Sequence, residues 1–139
     1  MNIATCDRII DAPVDVVWSL VSSADGLNDW MSVEAQVDLR PGGVITWTHQ
    51  NGAVVAGEIV EVVPMRRLVF TYGWAKGGFP IEPGSTTVRL ELEARGDSTL
   101  VTVVHDGFDS DELAATHTGG WSHFVGELDR AARSKGARP

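Results

Sequence analysis

The chain of 139 residues holds one cysteine, one tyrosine and eleven Lys and Arg, and each scarcity excludes something. Cys6 alone cannot close an intramolecular disulfide. Eleven basic against nineteen acidic residues give a formal charge of −8. A protein that binds nucleic acid through phosphates needs a basic stripe. The densest basic stretch, Arg130 to Arg138, follows Glu127 and Asp129, so no nucleic acid is expected as a partner. An anionic membrane surface is disfavoured on the same ground. No uncharged apolar run approaches the ~20 residues that a bilayer span needs. Met1 to Arg8 contains no signal-peptide apolar region, which predicts a cytoplasmic location. Cys6 then reads as an inert, buried thiol in a strand-like segment. Also missing are a Gly-x-Ser-x-Gly elbow, a phosphate loop ending in Gly-Lys-Ser/Thr and a dinucleotide fingerprint.

What is present is an ordinary globular composition, 43% hydrophobic and 22% charged. The length predicts a single domain over 1–139 with one core and a frayed tail after residue 135. Five of the ten aromatic residues are Trp, and that skew asks for an explanation.

Periodicity divides the chain. Residues 3–10 form a first strand. Asp11-Ala12-Pro13 opens a helix, with Val14, Val17, Trp18 and Val21 on one side. A short second helix covers Ala24 to Trp30. From Val33 the period becomes two. Strands are predicted over Val33–Leu39, Val44–His49, Ala53–Val63, Leu68–Trp74, Thr86–Ala94 and Thr99–His105, joined by turns such as Gln50-Asn51-Gly52. The Gly/Pro-rich stretch from Ala75 to Gly84 is a loop. Ser110 then caps a long helix carrying Leu113, His117, Gly120, Trp121, Phe124 and Leu128 to about Arg133. Gly119-Gly120 in its middle costs about 1–2 kcal/mol relative to Ala. Close approach of the helix to the sheet, or to a ligand, would repay that. An antiparallel sheet with one apolar face must be covered. One long helix lying in a curved sheet can cover it and leave a space at one end.

Four stretches carry a family resemblance. They are Ile10-Asp11-Ala12-Pro13-Val14-Asp15-Val16-Val17-Trp18, the turn Asp38-Leu39-Arg40-Pro41-Gly42-Gly43, the segment Gly57 to Tyr72 with Pro64 and Arg67-Leu68-Val69-Phe70-Thr71, and Thr102 to Gly107 followed by His117 and Gly120-Trp121. Together they resemble the helix-grip superfamily of START, SRPBCC and birch-pollen-allergen-like proteins. Within it they are similar to the subfamily named after the activator of the 90-kDa heat-shock protein ATPase. Met65 departs from the pattern, standing where a second proline often stands. The resemblance implies an α+β helix-grip fold: a curved antiparallel sheet of about seven strands around a long C-terminal helix, with two short helices after the first strand. It implies less about function, because the superfamily includes carriers, cyclases, receptors and co-chaperones.

Strand parity supplies candidate residues for a cavity. Trp47 and His49 share a face with Ile45. Tyr72 and Trp74 follow Leu68 and Phe70 inward, and His105 follows Val101 and Val103. Counting back from an outward Glu61 places Glu58, Val60 and Val62 on the inner face. Trp30 sits at a helix end near the mouth, and the long helix adds His117, Trp121 and Phe124. Apolar and aromatic walls with a few polar groups suit a small-molecule site. His105 and His117 read first as hydrogen-bonded histidines tying a strand end to the helix, and His123 as solvated. No metal is expected, since no histidine pair has local ligand spacing, and no cofactor.

The first functional reading is binding of a small apolar or aromatic molecule between sheet and helix. A cyclase, dehydratase or hydrolase using His105 or Glu58 in the same pocket is the alternative. A protein-interaction module is the third, though a chaperone partner is not expected from this one domain type. A homodimer through the Val54/Val55 region or the sheet edge is also open.

Overall fold

A computed structural model describes residues 2–136. Strand β1 spans Ala4–Ile10, helix α1 Val14–Val21 and helix α2 Ala24–Leu27. Strands follow at Glu34–Val37 (β2), Val44–Thr48 (β3), Val54–Val63 (β4), Arg67–Lys76 (β5), Thr86–Arg95 (β6) and Ser98–Asp106 (β7). Helix α3, Asp111–Gly136, closes the described chain. The seven strands form one sheet in the order β1-β7-β6-β5-β4-β3-β2, with every neighbouring pair antiparallel. The expected helix-grip arrangement is the one the chain adopts. The fraying expected after residue 135 falls on 137–139, outside the described residues.

Local chemistry sets the boundaries. Ser110 Oγ accepts from Leu113 N at 3.1 Å, fixing the first turn of α3. Pro13 sits at the N-cap of α1, one residue earlier than a first-turn position, with Asp15 in the first turn. Helix α2 stops at Leu27, short of Trp30. In the β3–β4 turn, Asn51 Oδ1 accepts from Ala53 N at 3.0 Å, and Gly52 has a φ of +89°. Met65 has a φ of +67°, which a proline ring cannot adopt. That accounts for the missing second proline.

One expectation fails for a clear reason. The β4–β5 register shifts between Ile59 and Glu61. Ile59 pairs with Phe70 and Glu61 with Val69, so Val60 is the extra residue of a β-bulge. Parity counted back across it inverts. Ile59 points into the core, Glu58 and Val60 are exposed, and only Val62 packs against the core, as expected. Val55 is also buried, so it is unavailable for the expected dimer contact.

The core lies between the concave face of the sheet and α3, and includes Ile10, Leu68, Phe70, Val88, Val103 and Leu128. Arg8 on β1 anchors the far half of the helix, its Nε donating to Asp129 Oδ2 at 3.0 Å. Thr99 Oγ1 donates to the Ala12 carbonyl at 2.8 Å, tying β7 to the start of α1.

Candidate ligand-binding cleft

Toward the first half of α3, sheet and helix part to leave a cleft of about 610 Å3. Its floor and walls are aromatic: Trp30, Trp47, Tyr72, Trp74, Trp121 and Phe124. The volume lies within the usual range of small-molecule sites. The rim is polar, with Asn28, Asp29, Gln50, Asn51 and Glu127, and among the described residues no Lys or Arg lines the cleft.

The Trp excess has a specific explanation here. Three indoles each donate to a histidine. Trp47 Nε1 donates to His49 Nε2 at 3.1 Å, Trp74 Nε1 to His117 Nε2 at 3.2 Å and Trp121 Nε1 to His105 Nδ1 at 3.0 Å. A buried indole N–H needs a partner, and each of these takes the lone pair of a neutral imidazole. Trp30 Nε1 uses the Leu20 carbonyl instead, at 2.8 Å.

The hydrogen bonds fix two tautomers. Thr86 Oγ1 gives its single proton to the Tyr72 carbonyl at 2.7 Å. The 2.9 Å contact between that oxygen and His105 Nε2 therefore has Nε2–H as donor, and Nδ1 is left to accept from Trp121. His105 is a neutral imidazole with both nitrogens committed. Burial, then the neighbouring His117, hold its pKa down to about 3. His117 donates from Nδ1 to the Leu113 carbonyl at 2.8 Å and accepts Trp74 at Nε2. Burial lowers its pKa, opposed by that carbonyl. Burial also lowers the pKa of His49. Protonating His105 or His117 would set an imidazolium N–H against an indole N–H. The arrangement holds an aromatic wall in shape rather than moving protons.

The expected residues divide accordingly. Trp30, Trp47, His49, Tyr72, Trp74, His117, Trp121 and Phe124 line the cleft. His105 lies beneath it, fully buried, with its ring centroid 4.3 Å from Tyr72 and 5.5 Å from His117. His49 does not join that pair; Trp74 separates it from His117, with centroids 5.3 Å and 6.2 Å away. Glu58 stands on the outer face because of the β-bulge and does not line the cleft. His123 is exposed, as expected, but stands at the rim, its ring 4.9 Å from Phe124. No group of three His, Cys, Asp or Glu among the described residues could hold a metal ion.

Sequence reasoning did not name Phe79, whose ring lies 5.1 Å from His117, nor Thr116, His123 and Glu127, which stand in one helical row with Gly120, as lining residues. That row falls at helical spacing beside His117 and Phe124, a signal the sequence carried. The remaining polar group is Tyr72. Tyr72 is 4% exposed and lines the cleft. Its hydroxyl makes no hydrogen bond to a described residue and is not among the fully buried unpaired atoms, so it opens onto the cleft.

Residues 11–133 match the family model of Activator of Hsp90 ATPase homolog 1-like protein. The chain belongs to this family. An AHSA1-like protein of Rhizobium etli is 32% identical, with a TM-score of 0.73 over 94% of this chain and 81% of that one. CalU16 from Micromonospora echinospora is 30% identical, with a TM-score of 0.68 over 95% and 82%. DynU16, a protein in the dynemicin biosynthetic locus, shares the fold at a TM-score of 0.84 and 23% identity; it matches 98% of this chain, which spans only 49% of DynU16. Aha1 from Colwellia psychrerythraea, solved as a dimer, has a TM-score of 0.79 at 19% identity over 95% and 96%. No curated protein matches the chain. In this AHSA1-like fold no helix among the described residues is long and apolar enough to cross a membrane. The family fold is suited in general terms to holding a ligand between sheet and helix.

Proposed function

We propose that the chain binds a small, uncharged apolar or aromatic molecule in the cleft. The observation that carries this reading is the Tyr72 hydroxyl, on a buried side chain among aromatic walls and without a described partner. The hydroxyl opens onto the cleft, so a ligand that covers it must offer it an acceptor or donor or lose about 1–3 kcal/mol. The rim argues for an uncharged ligand. Asp29 and Glu127 are its charged groups. Among the described residues each has only a loose cation beside it, Lys135 at 3.8 Å and Arg130 at 3.5 Å. An anionic headgroup would meet carboxylates before it met a cation. DynU16 belongs to a biosynthetic locus, which is compatible with a ligand that is an intermediate of biosynthesis.

Binding fits better than catalysis because His105 and His117 have both nitrogens engaged, leaving no poised base there. The test is calorimetric titration at pH 7 with a neutral three-ring phenol and with a fatty acid of similar size. The phenol should bind with micromolar affinity and raise the melting temperature, and the fatty acid should bind at least tenfold more weakly. Equal failure of both ligands would remove the reading; tighter binding of the fatty acid would remove the charge argument.

A further inference from the structure

Gly119 and Gly120 interrupt the middle of α3, and no packing reason for them exists. Most glycines here have a visible cause. Gly78 has a φ of +70° and lies against the Trp74 indole, and a Cβ on Gly73 would strike the Glu82 backbone. A Cβ on Gly119 or Gly120 would meet nothing within 4 Å, and neither residue has a positive φ. Of the two reasons expected from the sequence, close approach to the sheet or to a ligand, the first is absent at these two positions. The two differ in where they face. Gly119 is exposed and does not line the cleft. Gly120 is half-buried and does, one helical turn from both Thr116 and Phe124. The second, independent sign of a ligand is the unpartnered Tyr72 hydroxyl in the same cleft.

We propose that Gly120 is the specificity-determining position of the cleft: its missing side chain is the bare spot on α3 against which the flat body of an uncharged aromatic ligand lies. This rests on the ligand-binding reading above. A side chain at 120 would project into the cleft from its helix wall and narrow the slot. A side chain at 119 would project into solvent.

The experiment uses 1-aminoanthracene, a neutral planar fluorophore, with the full chain and its Gly119→Ala, Gly120→Ala, Gly119→Leu and Gly120→Leu variants. Probe fluorescence gives affinity, and thermal melts give stability. The parent chain should bind the probe. Gly120→Leu should weaken binding at least tenfold and Gly120→Ala two- to threefold, while both position-119 variants stay within twofold. Both alanine variants should melt higher than the parent, since helix propensity rises and the added methyl displaces no neighbour. If Gly120→Leu fails to fold, the graded loss in Gly120→Ala, against no loss in Gly119→Ala, decides. Full affinity in a folded Gly120→Leu, or a lower melting temperature for Gly120→Ala, overturns the assignment and leaves the binding reading standing. No binding by the parent chain overturns both.

Discussion

The two halves of α3 do different work. From Val125 onward the helix is closed against the sheet: Val125, Leu128 and Ala132 are buried, and Asp129 takes Arg8 from β1. From His117 to Phe124 the same helix stands back, turning Gly120, a histidine and aromatic rings toward a cleft. The far half follows the ordinary rules of core packing. The near half and the strands facing it depart from them, with a helix-weakening glycine pair on α3, His117 and the β7 residue His105 held neutral, and the hydroxyl of Tyr72 on β5 left over. Local departures of this kind, in a fold otherwise consistent with its sequence, mark the place where function is built.

The contrast can be broken first on the packed side. Leu128→Ala should cost about 2–5 kcal/mol in denaturant unfolding, with the ligand affinity of the folded fraction unchanged. Lost affinity at equal folded fraction would mean that the halves are coupled.

The next effect lies on pH. His105 has a folded-state pKa depressed from 6.5 to about 3, so the unfolded chain binds the proton more readily. Stability is therefore whole above about pH 6.5 and falls as pH drops through the window down to about 3. Between pH 7 and pH 5 His105 alone should remove about 2 kcal/mol, and the lowered pKa values of His49 and His117 act in the same direction. His105→Gln, which cannot titrate there, should flatten the dependence by about that amount. An unchanged slope in urea melts would contradict the neutral, doubly bonded imidazole.

A smaller effect concerns Trp74→Phe. It keeps an aromatic ring but removes the N–H that His117 Nε2 accepts, costing about 1 kcal/mol. Burial lowers the His117 pKa, and loss of a donor that favours the neutral ring should raise it part of the way toward 6.5 in an NMR titration. A fixed value would mean that the indole adds nothing to the effect of burial there.

Much of this was legible in the sequence and some was not. The change of period at Val33, the Asn51-Gly52 turn and the Ser110 cap give the element order because each is a local signal. Parity placed Trp47, His49, Tyr72 and Trp74 on one wall, since alternation holds along an unbroken strand. It failed at Glu58 because the bulge at Val60 is decided by pairing with β5, which no local signal carries. Two of the Trp–His pairs, Trp74–His117 and Trp121–His105, were beyond reach for a similar reason, whereas Trp47 and His49 stand two residues apart. Trp74 and His117 lie 43 residues apart, and only the closure of the sheet on α3 brings them together.

The central claim is that a ligand occupies the space among the paired indoles. The most direct measurement is the set of five indole N–H signals in a nitrogen-15 NMR titration with a neutral polycyclic aromatic. Trp30, Trp47, Trp74 and Trp121 should shift strongly, because they line the cleft and any ligand ring current acts on them. Trp18, buried in α1 away from the cleft, should stay in place. Saturating shifts confined to the cleft indoles are the predicted result. A saturable shift at Trp18 with the other four unmoved, or no shift at any indole for a ligand shown to bind, would contradict the account.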